Sequence, residues 1–146
     1  MLALLGTLFI WIFFPILTSD YIRSGIALHT PFTGAYTVMY SIAAATIASF
    51  ATSMILHDGL LIRDIIYGPI AGGVISSSPS FYVTNPVYGI LIGLIAGIVQ
   101  VVLMNKVESK IAQNKSIIST FSFTLFAVQG MLAGIFAGAW NAISRG

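Results

Sequence analysis

One short segment holds most of the side chains whose chemistry could serve a site. His57, Asp58 and Asp64 lie close together, just after a long apolar run. An imidazole beside two carboxylates could ligate a divalent metal or accept and pass on a proton. The alternative is a solvated loop, because charged residues between apolar runs are usually exposed to water. We favour the loop. The second histidine, His29, precedes Pro31 in a turn and carries less information.

Two polar features lie inside apolar stretches. Gln100 and Gln129 are amides at predicted membrane depth, and such a residue is either a functional candidate or a hydrogen-bonding partner for a neighbouring helix; both interpretations stay open for Gln129. The segment 76–80 is Ser-rich. It could line a polar vestibule, or it could end a helix whose backbone is satisfied by the hydroxyls, which we favour.

Other equipment for catalysis is absent from the sequence. It contains no cysteine, no Gly-x-Ser-x-Gly elbow and no phosphate-binding loop. We therefore predict a protein that is not an enzyme, with no catalytic residue, no metal site and no cofactor. The six lysine and arginine residues are too few to follow a phosphate backbone, so no nucleic-acid partner is expected.

The composition predicts the elements that must position these side chains. Only 7% of the residues are charged and 58% are hydrophobic, with a mean hydropathy of +0.99, whereas a soluble domain has roughly 25% charged residues. The charges fall in short clusters, and the gaps between them approach the length of about 20 residues that a membrane-spanning helix needs. We predict an all-α, polytopic membrane bundle in a single domain, residues 1–146, with about five transmembrane helices, at 2–18, 31–56, 65–83, 87–104 and 117–143.

The basic residues indicate an orientation. With five spans, four basic residues share the side of the N-terminus, namely Arg63, Lys106, Lys110 and Lys115, whereas Arg23 and Arg145 lie on the other. The positive-inside rule then places the N-terminus inside, in the cytoplasm or an organellar matrix. Met1 leads directly into the apolar run without a basic region, so we expect the first helix to be retained rather than cleaved as a signal.

Glycines repeat every four residues in three of the predicted spans. This spacing puts small residues on one face of a helix, where a neighbouring helix can approach closely. We predict helix packing at Gly68, Gly72, Gly89, Gly93, Gly97, Gly130, Gly134 and Gly138. Such stripes are common in polytopic membrane proteins, and three in successive spans favour a tightly packed array of transporter or channel type.

Several stretches resemble the ammonium transporter/Rhesus (Amt/Rh) family, in order along the chain. Residues 6–15, GTLFIWIFFP, resemble the start of the family's sixth membrane helix. Residues 70–74, IAGGV, and 88–97, YGILIGLIAG, are similar to its LAGGV and YGALIIGFxxG segments. Residues 108–110, ESK, resemble the loop that follows, and 129–131, QGM, resemble the HGMPG segment of the tenth helix.

The resemblance implies a fold of two inverted five-helix repeats, usually in a trimer, with an ammonia path between the repeats. This sequence corresponds to the second repeat. Of the two histidines that line the path in the family, the second falls at Gln129, and the first belongs to the repeat without a counterpart here. A neutral amide cannot accept the proton that an imidazole would. The resemblance also places Leu17 at a gating phenylalanine and Thr18 at the asparagine after it, so Gln129, Leu17 and Thr18 are the expected pore-lining residues.

Two functions are consistent with these features. The one we favour from the sequence is a non-catalytic membrane subunit, derived from an ammonium transporter, that packs against lipids and other transmembrane subunits of a larger complex. A mitochondrial respiratory complex in the inner membrane is an example. The alternative is a transporter half that pairs to form a conducting pore for ammonia or ammonium, with the plasma membrane as the alternative location.

Overall fold

The chain forms α-helices throughout the part that the structure describes. The structure is a computed structural model that describes residues 2–23, 31–59, 61–83 and 85–111, with short stretches between 127 and 143. Four helices follow one another: α1 (Leu2–Arg23), α2 (Pro31–His57), α3 (Ile62–Ser77) and α4 (Tyr88–Ile111). A short 3-10 turn, Pro79–Phe81, follows α3. No strand occurs in these ranges, and the predicted all-α bundle is confirmed.

The helices agree unevenly with the predicted spans. Two are long and apolar enough to cross a membrane, Phe32–His57 and Tyr88–Lys106, and α1 contributes the shorter apolar stretch Leu4–Thr18. The third span was predicted at 65–83, but α3 begins earlier, at Ile62, and ends at Ser77. Most of the fifth predicted span lies outside the described residues, so the count of five helices stays a prediction.

Serine hydroxyls accompany the end of α3. Ser76 Oγ donates to the Gly72 carbonyl at 2.7 Å and Ser77 Oγ to the Val74 carbonyl at 2.8 Å. Ser80 Oγ donates to the Ser77 carbonyl at 2.7 Å. These hydroxyl groups supply hydrogen bonds to backbone carbonyls near the C-terminal end of α3, where some carbonyls have no amide partner within the helix. A helix can therefore end in an apolar environment. The favoured interpretation of the Ser-rich segment is therefore confirmed for these three residues.

Helix α2 lies at the centre of the bundle and presents a stripe of small residues. We call Thr37, Ser41, Ala45, Ser49 and Ser53 the α2 stripe; they recur every four residues, and each is fully buried. Residues spaced in this way share one helix face. Helices α3 and α4 both pack against that face.

Glycines of α3 meet the α2 stripe. A Cβ built at Gly72 would lie 2.6 Å from the Ala45 Cβ and 2.8 Å from the Ser41 carbonyl oxygen. One built at Gly68 would overlap the Ser49 hydroxyl. Ser41 Oγ also donates across the interface to the Gly72 carbonyl at 3.0 Å. Close backbone approach and an interhelical hydrogen bond are the two contacts that hold helices together in lipid.

The glycines of α4 face the same stripe, one helical turn after another. A Cβ at Gly89 would collide with the Thr37 carbonyl oxygen, one at Gly93 with that of Ser41, and one at Gly97 with that of Ala45. The three helices are thus in backbone contact along α2. In contrast, no atom of the described part of the chain lies within 4 Å of a Cβ built at Gly130, Gly134 or Gly138, and helix packing there stays a prediction.

Helix α1 packs on the bundle by one narrow face. The Phe14 ring lies against Gly73 of α3, 3.2 to 3.4 Å from a built Cβ. Thr7, Pro15 and Thr18 are buried. Nine large apolar side chains of α1 are exposed, namely Leu2, Leu4, Leu5, Leu8, Phe9, Ile12, Phe13, Ile16 and Leu17. We call these residues the open face of α1.

Candidate functional site

The two described residues expected to line a pore point in different directions. Leu17 is 64% exposed and belongs to the open face of α1, whereas Thr18 is only 8% exposed. The Thr18 hydroxyl donates to the carbonyls of Phe14, at 3.0 Å, and Pro15, at 2.9 Å. Gln129, the third expected residue, lies outside the described residues. A pore-lining role for these three residues stays a prediction.

The polar α2 stripe is closed by its packing. The Thr37 hydroxyl donates to the Thr33 carbonyl at 2.8 Å, and the Ser49 hydroxyl donates to the Thr46 carbonyl at 2.9 Å. Ser41 donates across to α3, as described above. The hydroxyl groups of the stripe are hydrogen-bonded to backbone carbonyls, and the glycines of α3 and α4 pack directly against it. The stripe therefore holds the helices together and leaves little space between them for a permeant molecule.

Gln100 is a further buried polar residue. It lies on α4 with 1% of its surface exposed, and it is not without a partner. This placement agrees with the common fate of a membrane-depth amide, which is a bond to its surroundings.

The most unexpected polar site lies where α2 turns into α3. Asp64 is in the first turn of α3 and is 2% exposed, so the expectation that it is a solvated loop residue is wrong. Asp58 is exposed, as expected, and adopts a φ of 51° in the turn. The difference arises because Asp64 sits on the face of α3 that packs on α2, whereas Asp58 lies in the turn between them.

Among the described residues, the buried carboxylate has one ion-pair partner, at long distance. Arg63 Nε lies 3.5 Å from Asp64 Oδ1. The other carboxylate oxygen, Oδ2, is closed to solvent and has no hydrogen-bond partner among the described residues. The same holds for Nδ1 of His57, at the last position of α2. Among the described residues, one carboxylate oxygen and one imidazole nitrogen thus have no hydrogen-bond partner at neighbouring helix ends.

The residues that the structure describes do not assemble a metal site here. Within the described ranges, no three His, Cys, Asp or Glu side chains come together in a way that could hold a metal ion. A hard cation such as Ca²⁺ takes six to eight oxygen ligands. The metal interpretation of His57, Asp58 and Asp64 therefore lacks a ligand set.

A sequence signal for the burial of Asp64 was present but was missed. Asp64 precedes Gly68 and Gly72 at intervals of four, so all three belong to one helical face. The two glycines predicted that this face packs on a neighbour. Extending the stripe back by one turn would have included Asp64 among the packed residues.

Comparison with known proteins assigns the chain to a family over nearly its whole length. The model of the Ammonium Transporter Family matches residues 1–144. The chain is 32% identical over 117 residues to ammonium transporter Rh type B of Oryzias latipes, covering 77% of this chain and 24% of that protein. It is 34% identical over 101 residues to the Rh type B transporter of Papio hamadryas, covering 66% of this chain and 21% of that protein.

A third relative has a different name. The chain is 29% identical over 101 residues to RH-like protein IC of Gorilla gorilla gorilla, covering 68% of this chain and 24% of that protein. In each of these matches the chain spans about a quarter of the relative's length or less. No solved structure matches the chain.

Proposed function

The chain belongs to the Ammonium Transporter Family, and from that membership we propose that it forms one wall of a membrane path for ammonia. As a member with apolar, membrane-length helices it is an integral membrane protein. Two of the relatives named above are called ammonium transporters, and ammonia or ammonium is accordingly the substrate proposed here.

The observation that carries this proposal is the close packing of α2, α3 and α4, together with the position of Leu17 on the exposed surface of α1. Helices α2, α3 and α4 are in backbone contact through glycines, which leaves little space for a path between them. Exposed large apolar side chains occur on α1, α2 and α4 alike, but Leu17 on the open face of α1 is the exposed residue that the family resemblance places in the path. The wall of a path therefore belongs on α1, with further helices completing the enclosure.

The apolar character of the open face favours the neutral species. A charged group in the apolar part of a bilayer costs several kcal/mol or more, whereas ammonia carries no net charge. The chain also has Gln129 at the position of the family's second path histidine, and an amide does not take up a proton near neutral pH. We infer that this wall passes ammonia and that proton transfer takes place elsewhere.

The decisive experiment measures ammonia flux. The full chain is reconstituted into liposomes, and internal alkalinisation is followed by stopped-flow fluorescence after an ammonium gradient is applied. Leu17→Trp enlarges a side chain on the open face and is expected to slow the flux. Gln129→Trp is expected to do the same if residue 129 faces the path.

The matched control is Ile47→Trp. Ile47 is 66% exposed, close to the value for Leu17, but lies on α2, and its variant is expected to keep the parental flux. Flux no greater than in empty liposomes would contradict the proposal. Equal slowing by Leu17→Trp and Ile47→Trp would place the path away from α1.

A second candidate function is a non-conducting subunit of a larger membrane complex, such as a respiratory complex of the mitochondrial inner membrane. What favours it is that the described hydroxyls of Thr18 and of the α2 stripe donate to backbone carbonyls, and that residue 129 is not a histidine. Such a subunit would co-purify in fixed stoichiometry with other membrane proteins after mild detergent extraction. It would also fail to restore growth of an ammonium-transport-deficient yeast strain. Isolation as a free monomer that restores growth would exclude this alternative.

A further inference from the structure

The polar groups at the α2–α3 turn take no part in the proposed path along α1. We name Ser53, His57, Arg63 and Asp64 the turn cluster. We propose that the turn cluster binds an ammonium ion, with Asp64 Oδ2 as the principal acceptor and His57 Nδ1 as a second. This inference rests on the transport function proposed above, because it assigns the charged form of the substrate to a separate site.

The first argument is an acceptor left over in a buried place. A carboxylate offers about four acceptor positions, and among the described residues the ion-pair partner of Asp64 is Arg63, with Nε 3.5 Å from Oδ1. Oδ2 is shielded from solvent and has no partner in the described part of the chain. A buried acceptor without a donor is unfavourable, so a ligand that donates a hydrogen bond to Oδ2 is stabilised there.

The second argument is the way the turn folds back on α2. Ser53 Oγ lies 3.4 Å from the Gly59 carbonyl oxygen and 3.5 Å from the Leu61 amide. The Asp64 amide donates to the Leu61 carbonyl at 3.0 Å. Ser53 and His57 are one helical turn apart on α2. The chain therefore brings the first turn of α3 close to the last turn of α2, where the second shielded acceptor, His57 Nδ1, is located.

The third argument concerns which ligand suits these acceptors. Ammonium has four N–H donors and can serve a carboxylate oxygen and an imidazole nitrogen together. Potassium is instead coordinated by several oxygens, whereas the two shielded atoms here are one carboxylate oxygen and one imidazole nitrogen. The leftover acceptors thus suit a hydrogen-bond donor better than a metal ion.

The neighbouring charges limit the strength of binding. The positive charge of Arg63 partly neutralises the negative charge of Asp64. Asp58 in the turn and Lys106 on α4 are both exposed, so water screens them. A partly neutralised carboxylate favours weak binding and rapid release, which suits a transient stop for a transported ion.

The test compares two salts at equal ionic strength. The thermal unfolding midpoint of the full chain is measured in detergent micelles with ammonium chloride or potassium chloride. At ten times the dissociation constant, ammonium is expected to raise the midpoint by about 3 °C relative to potassium. Asp64→Asn is expected to abolish this difference. Equal stabilisation by both salts, or an ammonium-specific rise that persists in Asp64→Asn, would overturn the proposal.

Asp58→Asn provides the matched control. The same chemical change is made six positions earlier at an exposed carboxylate, and asparagine tolerates the positive φ of 51° found there. The control is expected to keep the ammonium-specific rise. Its loss in both variants would also overturn the proposal, because the effect would then follow net charge rather than the buried site.

A second measurement remains available if Asp64→Asn does not fold. The chain has three aspartates, Asp20, Asp58 and Asp64, so Asp20→Asn/Asp58→Asn leaves Asp64 alone. With ¹³C-labelled aspartate, the carboxylate stretch of Asp64 is expected to shift when ammonium replaces potassium. An unchanged band overturns the site. Because flux and binding are measured separately, flux without an ammonium-specific effect refutes the site alone, whereas binding without flux refutes the transport function alone.

Discussion

At the scale of single residues, glycines of the same type differ in the space around them. A Cβ at Gly93 would meet the Ser41 backbone, with the Ser41 Cα at 2.8 Å, whereas one at Gly6 would meet nothing within 4 Å. A backbone obstacle cannot rotate away. We expect Gly93→Ala to lower the free energy of unfolding by about 1 to 3 kcal/mol, as overpacked cores do.

The matched substitution is Gly6→Ala. Alanine is a better helix former than glycine by about 1 kcal/mol, and Gly6 has room for the methyl group. We expect Gly6→Ala to leave stability unchanged or raised, as followed by loss of the far-ultraviolet circular dichroism signal during denaturation in mixed micelles. Equal destabilisation by both variants would mean that close packing at Gly93 is not what separates them.

The two aspartates of the turn show what residue types alone could not predict. Hydropathy treats Asp58 and Asp64 alike, and both were expected in water. Only one is there, because a carboxylate six residues further on reaches the packed face of α3. The four-residue spacing of Asp64, Gly68 and Gly72 indicated that Asp64 lies on the packed face of the helix. The prediction instead followed the charge of Asp64, which is typical of an exposed residue.

At the scale of the elements, one hydrogen bond joins α2 to α3 within the α2 stripe. Ser41→Ala removes the donor to the Gly72 carbonyl and is expected to lower stability by about 0.6 kcal/mol, and by no more than about 1.7 kcal/mol, the range for such bonds between membrane helices. The measurement is the same denaturation in mixed micelles.

Thr52→Ala is the control for Ser41→Ala. Its hydroxyl donates to the Ala48 carbonyl of its own helix at 2.7 Å, so removing it breaks no contact between helices. Its effect on stability is expected to be the smaller of the two. A larger loss in Thr52→Ala than in Ser41→Ala would contradict the interhelical role of Ser41.

The limits of the helices follow from features that hydropathy does not measure. For α2 the apolar run predicted the helix closely, because turn-forming and charged residues flank it. Helix α4 begins close to the predicted start but continues to Ile111, seven residues beyond the predicted end at 104, through the charged residues that were expected to end it. For α3 the apolar run continues to Val83, yet the helix ends at Ser77, where hydroxyls bond to the backbone and Pro79 begins a 3-10 turn. Serine and proline chemistry located this end better than hydropathy did.

At the scale of the whole molecule, the sequence predicted the bundle but not which helix is peripheral. The GTLFIWIFFP run of α1 indicated the family, but its aromatic residues do not form the core. Phe9 and Phe13 stack with ring centroids 5.7 Å apart, and both are largely exposed, while Phe14 packs on Gly73. Which aromatic residues of α1 are buried depends on which face of α1 contacts α3, and the sequence of α1 alone does not determine that contact.

The shortness of α3 leads to a prediction about topology. Its 16 residues cover about 24 Å, less than the roughly 30 Å of a bilayer core, and the 3-10 turn after it extends the path. We expect α3 and this turn to cross the membrane together, so that the 58–61 turn and the end of α4 share one side and the 85–87 turn lies on the other.

The chain has no cysteine, so single cysteines can be labelled without background. In sealed vesicles, Gly59→Cys and Ser109→Cys should react with a membrane-impermeant maleimide from the same side, and Asn85→Cys only from the opposite side. All three positions are exposed. Labelling of Asn85→Cys from the same side as Gly59→Cys would show that α3 enters and leaves the membrane on one face, and the five-span topology would then be wrong.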